Sequence, residues 1–262
     1  MALDIDRYAH VGSPLQRWDP RFKIAALGIF IFSAAILKTI PLACVALITA
    51  LIILKLSRIP FHFLIQGVKW VSLFLVPFFI ILPLTYPGEP AGYILGLAFA
   101  WEGLRMAVLI VLKALAVVLT AYAVFGSSRF DISMLALQRL KCPAVIVQMI
   151  LFSYRYIFVF LSEMRRQHTA MNARGFVKKP NAYTMQVLGN FIGTLLVRSF
   201  ERTERIYKAM LSKGYRGEFH TLVTFEADSK DVLKAVMVIV VTVAIVVMDW
   251  SGGFAAAEHG WF

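Results

Sequence analysis

Residues 104–125 read LRMAVLIVLKALAVVLTAYAVF, an apolar run in which only Arg105 and Lys113 are charged. A helix of about 20 apolar residues is long enough to cross the hydrocarbon core of a bilayer. Arg105 lies near one end, from which its side chain can reach the membrane surface. Lys113 is deeper, so we expect it to face protein or a polar cavity. The run therefore predicts a transmembrane helix.

The composition of the whole chain points to the same class of protein. Of its 262 residues, 60% are hydrophobic and 16% are charged, against about 45–50% and about 25% in soluble domains. A soluble fold of this size could not bury so much apolar surface, and disorder is excluded for the same reason. The two cysteines, Cys44 and Cys142, are too few for a disulfide framework. An all-α polytopic membrane protein is predicted, which argues against a free cytosolic enzyme and against nucleic-acid binding.

Five apolar runs are predicted to span the membrane: residues 22–37, 41–56, 70–86, 104–125 and 233–248. Asp19 suits the N-cap of the first helix and Pro20 its first position. Lys23 is expected to extend to the surface at the end of this short helix. Pro41 interrupts the helical hydrogen-bond ladder and predicts a helical hairpin. Pro77 and Pro83 are expected to bend the third span. Residues 91–100 are apolar but too short to cross, so they predict an interfacial or re-entrant segment.

The charge distribution predicts the orientation. The net charge is +12, and residues 126–234 hold 17 of the 27 basic and eight of the 15 acidic residues. Basic loops remain in the cytoplasm, and five spans place this block, the basic N-terminus and residues 55–69 on that side. The predicted organisation is an N-terminal transmembrane part (1–125), a cytoplasmic or interfacial module (126–234) and a last span with a short outer tail (235–262).

Two further apolar segments, residues 143–161 and 181–200, lie within the basic block. They contain polar or charged residues such as Gln148, Arg155, Asn190 and Arg198. If only the first crossed, a cluster of bases after it would lie outside, against the charge rule. We interpret both as helices lying along or just beneath the membrane, with a six-span arrangement as the alternative.

A short repeat occurs inside this block. The segment AMNARGF at residues 170–176 recurs, 39 residues later, as AMLSKGY at residues 209–215. Glycine is the usual residue just past a helix end, and a base in the last turn suits the helix dipole. Two ordinary helix ends would explain the pattern. The alternative is that the chain makes the same contact twice, with acidic grooves on two similar partner subunits.

The two motifs, Ala173-Arg174-Gly175 and Ser212-Lys213-Gly214, resemble those of the T component (EcfT) of energy-coupling factor transporters. The run SPLQRWDPRFK at residues 13–23, MNARGF at 171–176 and RSFER at 198–202 resemble its cobalt-transport branch, CbiQ. The resemblance extends from about residue 13 to residue 234. It implies a non-catalytic membrane subunit with cytoplasmic coupling helices.

The resemblance also implies partners and roles. Two ABC-type ATPase subunits (CbiO-like) and a substrate-binding membrane subunit (CbiM-like, with or without a small CbiN-like subunit) would join this chain in the cell inner membrane. Arg174 and Lys213 would be the cations that dock into the ATPases, and four small residues would permit close approach: Ala173, Gly175, Ser212 and Gly214. Cobalt is the expected cargo, with nickel or a vitamin as the alternative.

One position departs from the family pattern. Lys213 stands where the family more often has arginine, and a lysine is a point charge that cannot make a two-pronged contact with a carboxylate. The second site is therefore expected to be weaker, or else Arg216 shares its role.

No cofactor is expected in this chain. It has no Gly-x-x-x-x-Gly-Lys-Ser/Thr loop, so ATP and magnesium would be bound by the partner ATPases. Its five histidines are scattered without metal-ligand spacing, and an intramembrane metalloprotease is disfavoured because no His-Glu-x-x-His is present. A self-contained channel or secondary transporter would need more ionisable residues in its spans than Lys113.

Overall fold

The computed structural model describes residues 13–85, 90–94, 97–217 and 228–252, which are mainly helical. The helices are α1 (Pro20–Ile36), α2 (Ile40–Ser57), α3 (Phe61–Leu75), α4 (Phe78–Thr85), α5 (Trp101–Gly126), α6 (Phe130–Arg139), α7 (Ala144–Ala173), α8 (Ala182–Ser212) and α9 (Ser229–Trp250). The predicted all-α class is confirmed. Strands β1 (Pro90–Ile94) and β2 (Leu97–Ala100) pair antiparallel, a hairpin that the apolar composition of residues 91–100 did not predict.

Five helical segments in the described ranges are long and apolar enough to cross a membrane: α2, Gly67–Thr85, α5, α7 and α9. Four of them coincide with predicted spans. The predicted first span is α1, which has only 17 residues, and α7 takes its place in this set. The length and composition of α7 would allow it to cross, and the surface position that we expect for it remains a prediction.

The chain divides into two compact units. The bundle unit contains Ile5–Leu140 and Phe225–Phe262, and α5 lies at its centre against α1, α2 and α4. Alanines seven residues apart are fully buried on both helices: Ala43 and Ala50 on α2, and Ala116 and Ala123 on α5. Small side chains let two helix backbones approach closely, which explains why α2 packs chiefly on α5.

The start of α1 follows its capping signals. The Asp19 carboxylate accepts a hydrogen bond from the Arg21 backbone N–H at 2.9 Å, and Pro20 occupies the first turn. The prediction for Lys23 was wrong, because this side chain is fully buried and points inward. Its ammonium donates to the Ser127 and Ser128 hydroxyls just after α5. These hydroxyls replace the water that the ammonium would otherwise need.

The break between α1 and α2 lies at Leu37–Thr39, as Pro41 predicted. The Asp249 carboxylate accepts hydrogen bonds from the backbone N–H groups of Lys38 and Thr39, at 3.0 and 3.2 Å. The prediction that Lys113 faces protein is confirmed, since its ammonium donates to the Ala35 carbonyl at 3.3 Å. That carbonyl belongs to the last turn of α1, where acceptors lack helical partners.

Candidate functional site: two matching helix ends

The second compact unit comprises Met1–Asp4 and Lys141–Thr224, and α7 and α8 form a helical hairpin in its described part. Three contacts show that the helices run antiparallel along their length. Glu163 pairs with Arg198 near the middle. Arg174, at the end of α7, lines a groove with Val187 near the start of α8. The Tyr215 hydroxyl, just past α8, donates to Gln148 in the first turns of α7 at 2.9 Å.

The first motif forms the C-terminal cap of α7. Arg174 is the C-cap residue, and Gly175 follows with φ of +77°. The Gly175 N–H donates to the Asn172 carbonyl and the Phe176 N–H to the Met171 carbonyl, at 3.0 and 3.1 Å. This pair of bonds defines a Schellman motif, which requires a left-handed residue after the cap.

The second motif forms the same cap at the end of α8. Lys213 is the C-cap residue and Gly214 has φ of +82°. The Gly214 N–H donates to the Leu211 carbonyl and the Tyr215 N–H to the Met210 carbonyl, both at 3.0 Å. The repeat seen in the sequence is therefore a repeat of backbone geometry, so each cation occupies the same place relative to its helix.

The docking residues expected from the sequence are exposed at both ends: Ala173, Arg174, Gly175, Ser212, Lys213, Gly214 and Arg216. Among the residues that the structure describes, none makes a hydrogen bond or ion pair with the side chains of Arg174, Lys213 or Arg216. A Cβ built on Gly175 or Gly214 would meet no atom within 4 Å. The three basic side chains are thus exposed, and no described residue of this unit pairs with them.

The two motifs lie at opposite ends of the hairpin. Arg174 is level with Val187, and Lys213 ends the same helix α8. With a rise of about 1.5 Å per residue, the helix between these levels is about 39 Å long. One small partner groove cannot contact both cations at this separation, so the motif residues form two separate groups.

Sequence reasoning missed two contacts between α7 and α8 in the described hairpin, the Glu163–Arg198 ion pair and the Tyr215–Gln148 hydrogen bond. The Glu163 carboxylate accepts from the guanidinium groups of Arg166 and Arg198, each at 2.5 Å. Glu163 and Arg166 stand three residues apart on one helix, which is a readable signal. Arg198 and Tyr215 reach partners far away in the sequence, and no local pattern predicts such pairs.

The arrangement at these ends suits electrostatic docking. Each C-terminal carbonyl group carries partial negative charge, which favours a cation there, and the exposed cation remains available to an external carboxylate. In the described ranges, no group of three or more histidine, cysteine, aspartate or glutamate residues could hold a metal ion.

Comparison with known proteins identifies relatives of this chain. Residues 12–222 match the family model described as "CbiQ: Cobalt transport protein". An uncharacterized protein of Methanocaldococcus jannaschii is 28% identical over 254 residues, 93% of this chain and 86% of the relative. The energy-coupling factor transporter transmembrane protein EcfT of Heliobacterium modesticaldum is 25% identical over 225 residues, 82% and 85% of the two chains. The cobalt transport protein CbiQ of Rhodobacter capsulatus is 28% identical over 102 residues, 38% and 41% of the two chains.

Proposed function

Because this chain belongs to the CbiQ family and is a T component of energy-coupling factor transporters, we propose that it couples ATPases to a substrate-binding membrane subunit. Two ABC-type ATPase subunits would bind and hydrolyse ATP with magnesium, and the chain itself would be non-catalytic. The observation that carries the proposal is the pair of identical helix caps, each presenting one exposed cation.

Each cap supports a docking contact with one ATPase. Arg174 can present a two-pronged guanidinium to a carboxylate, whereas Lys213 offers a single point charge. The approximately 39 Å between the two levels fits two partner subunits better than one. Movement of the two ATPases toward or away from each other would then act on both ends of one hairpin.

The hairpin contains contacts that would let it transmit such a movement. The Glu163–Arg198 ion pair joins the helices near their middle, and the Tyr215–Gln148 hydrogen bond joins them near the Lys213 end. A displacement of Lys213 would therefore act on the start of α7 as well as on α8. The substrate-binding subunit would receive this movement through the hairpin.

The distribution of charge along the hairpin supports a position at the cytoplasmic surface. The apolar part of α7, residues 144–161, runs beside the charged second half of α8. The first half of α8, residues 182–197, carries no charge and runs beside the charged end of α7. If either apolar half crossed the membrane, the charged half beside it would enter hydrocarbon at about 2.5–3.5 kcal/mol per charge.

The charge distribution and the family description support a membrane location and a cargo for this protein. We infer a multi-pass protein of the inner membrane with a cytoplasmic N-terminus, because the basic hairpin and N-terminus would then share one side. Cobalt is the cargo that the family description favours, and a CbiM-like subunit, with or without a CbiN-like one, would bind it. Nickel or a vitamin is the alternative that uptake measurements would detect.

Co-purification tests the docking role. The tagged chain would be expressed with its candidate ATPase, as wild type and as Arg174→Glu/Lys213→Glu. We expect the wild type to retain the ATPase and the double variant to lose it, because two attractive contacts become repulsive. Arg139→Glu/Lys230→Glu is the matched control, since it makes the same charge change at two exposed positions outside the motifs. Retention of ATPase by the double motif variant, or equal loss in the control, would refute specific docking.

The second site permits a finer test. Lys213→Ala is expected to weaken ATPase binding less than Arg174→Ala, because it removes a point charge rather than a forked donor. Arg216 is exposed three residues further on, so Lys213→Ala/Arg216→Ala should lose more than the two single losses together if each base replaces the other. An additive or null result for the pair would remove Arg216 from the docking site.

A further inference from the structure

A groove between the middles of α7 and α8 has more arginine than acidic side chains in its lining. This guanidinium groove has a volume of about 300 Å³ and is lined by four arginines and two glutamates: Arg166, Arg198, Arg202, Arg205, Glu163 and Glu201. Its charged residues are distinct from the cations of the two helix ends. The groove therefore calls for an explanation other than ATPase docking.

The internal ion pairs leave the groove positive. The single Glu163 carboxylate is shared by the guanidinium groups of Arg166 and Arg198, so it neutralises only one of them. Within the described part of the chain, Arg202 has no hydrogen-bond or ion-pair partner, and the Arg205 Nε donates to the Glu201 backbone carbonyl at 3.4 Å. Several guanidinium N–H donors remain for a ligand, and their planar fork matches phosphate oxygens.

Apolar side chains form part of the lining of the same groove. Val159 and Phe160 come from α7 and Leu195 from α8. A phosphate in the groove would thus lie next to a surface suited to hydrocarbon.

We propose that the guanidinium groove binds the phosphate headgroup of an anionic phospholipid, with an acyl chain against Val159, Phe160 and Leu195. The positive groove supplies the charge complementarity, and the apolar part of its lining favours an amphiphile over a soluble phosphate ester. Lipid bound here would hold the hairpin at the membrane surface. The site is separate from ATPase docking, so either role can fail without the other.

Lipid titration of the purified full chain in detergent, followed by native mass spectrometry, tests the proposal. The probes are dioleoyl phosphatidylglycerol and dioleoyl phosphatidylcholine, and wild type should prefer the former. Arg202→Gln should weaken phosphatidylglycerol binding about five-fold, the contribution typical of one base at an anionic surface, and leave phosphatidylcholine unchanged. Glu201→Gln, on the same helical turn, should strengthen phosphatidylglycerol binding several-fold. A purely structural role would not produce these opposite signs.

Lys208→Gln is the matched control, because it removes one positive charge from α8 outside the groove. Equal phosphatidylglycerol affinity in Arg202→Gln and Lys208→Gln would overturn the proposal. Displacement of the lipid by equimolar sn-glycerol 3-phosphate would overturn it too, since the groove would then take free phosphate esters. If Arg202→Gln loses ATPase binding while its lipid binding is unchanged, the groove is a protein surface and the proposal fails. If Arg202→Gln does not fold, Arg205→Gln is measured against the same criteria.

Discussion

Replacing Gly175 separates two explanations of the first motif. Its φ of +77° is disfavoured for residues with a Cβ, while a Cβ at this position would meet no atom within 4 Å. The structure thus requires glycine for backbone conformation and leaves space for a larger side chain. If glycine were instead needed so that a partner can approach closely, the size of the substituted side chain would decide the loss of binding.

The expected magnitude follows from the backbone. Alanine in the left-handed region costs about 1–2 kcal/mol. If the backbone leaves this region instead, the two cap hydrogen bonds that orient Arg174 are lost. If the full cost falls on the docking conformation, ATPase affinity drops about 5- to 30-fold in Gly175→Ala. Asparagine tolerates this region better, so Gly175→Asn should lose less than Gly175→Ala despite its larger side chain.

The assay is a titration of the chain with its ATPase in a Lys213→Glu background, so that only the first site contributes. Gly189→Ala is the control, because Gly189 lies in α8, has no atom within 4 Å of its Cβ position and lacks a positive φ. We expect affinity to fall in the order glycine, asparagine, alanine at position 175. The order glycine, alanine, asparagine would refute the backbone explanation and favour steric approach.

Two further predictions concern packing. Tyr215→Phe removes the hydroxyl that donates a hydrogen bond to the buried Gln148, which should cost about 1–3 kcal/mol. The thermal midpoint in detergent should fall by about 2–4 °C per kcal/mol. An unchanged midpoint would show that this bond does not stabilise the hairpin. Gly103→Ala places a Cβ in steric overlap with the Leu82 backbone carbonyl, so α4 and α5 must separate at a cost of about 1–3 kcal/mol. Gly28→Ala meets no atom within 4 Å and should leave the midpoint unchanged or raised, and equal losses in both glycine variants would contradict this reasoning.

Local chemistry in the sequence predicted several features of the fold. The apolar length of residues 104–125 indicated α5, and Asp19 with Pro20 indicated the start of α1. The repeat of base, glycine and aromatic residue predicted two helix ends, which both have the same Schellman geometry. These features depend on composition and on residues within one or two helical turns, so a single sequence contains them.

The tertiary structure decided the partners of individual charges and the spacing of the two motifs. Lys23 was expected at the surface, but the serines after α5 bring hydroxyls to it and it is buried. Glu163 meets Arg198 only because α7 and α8 fold antiparallel. The same folding separates the levels of Arg174 and Lys213 by about 39 Å along α8. Helix periodicity identifies the face on which a residue lies, whereas the opposing face depends on packing between distant segments.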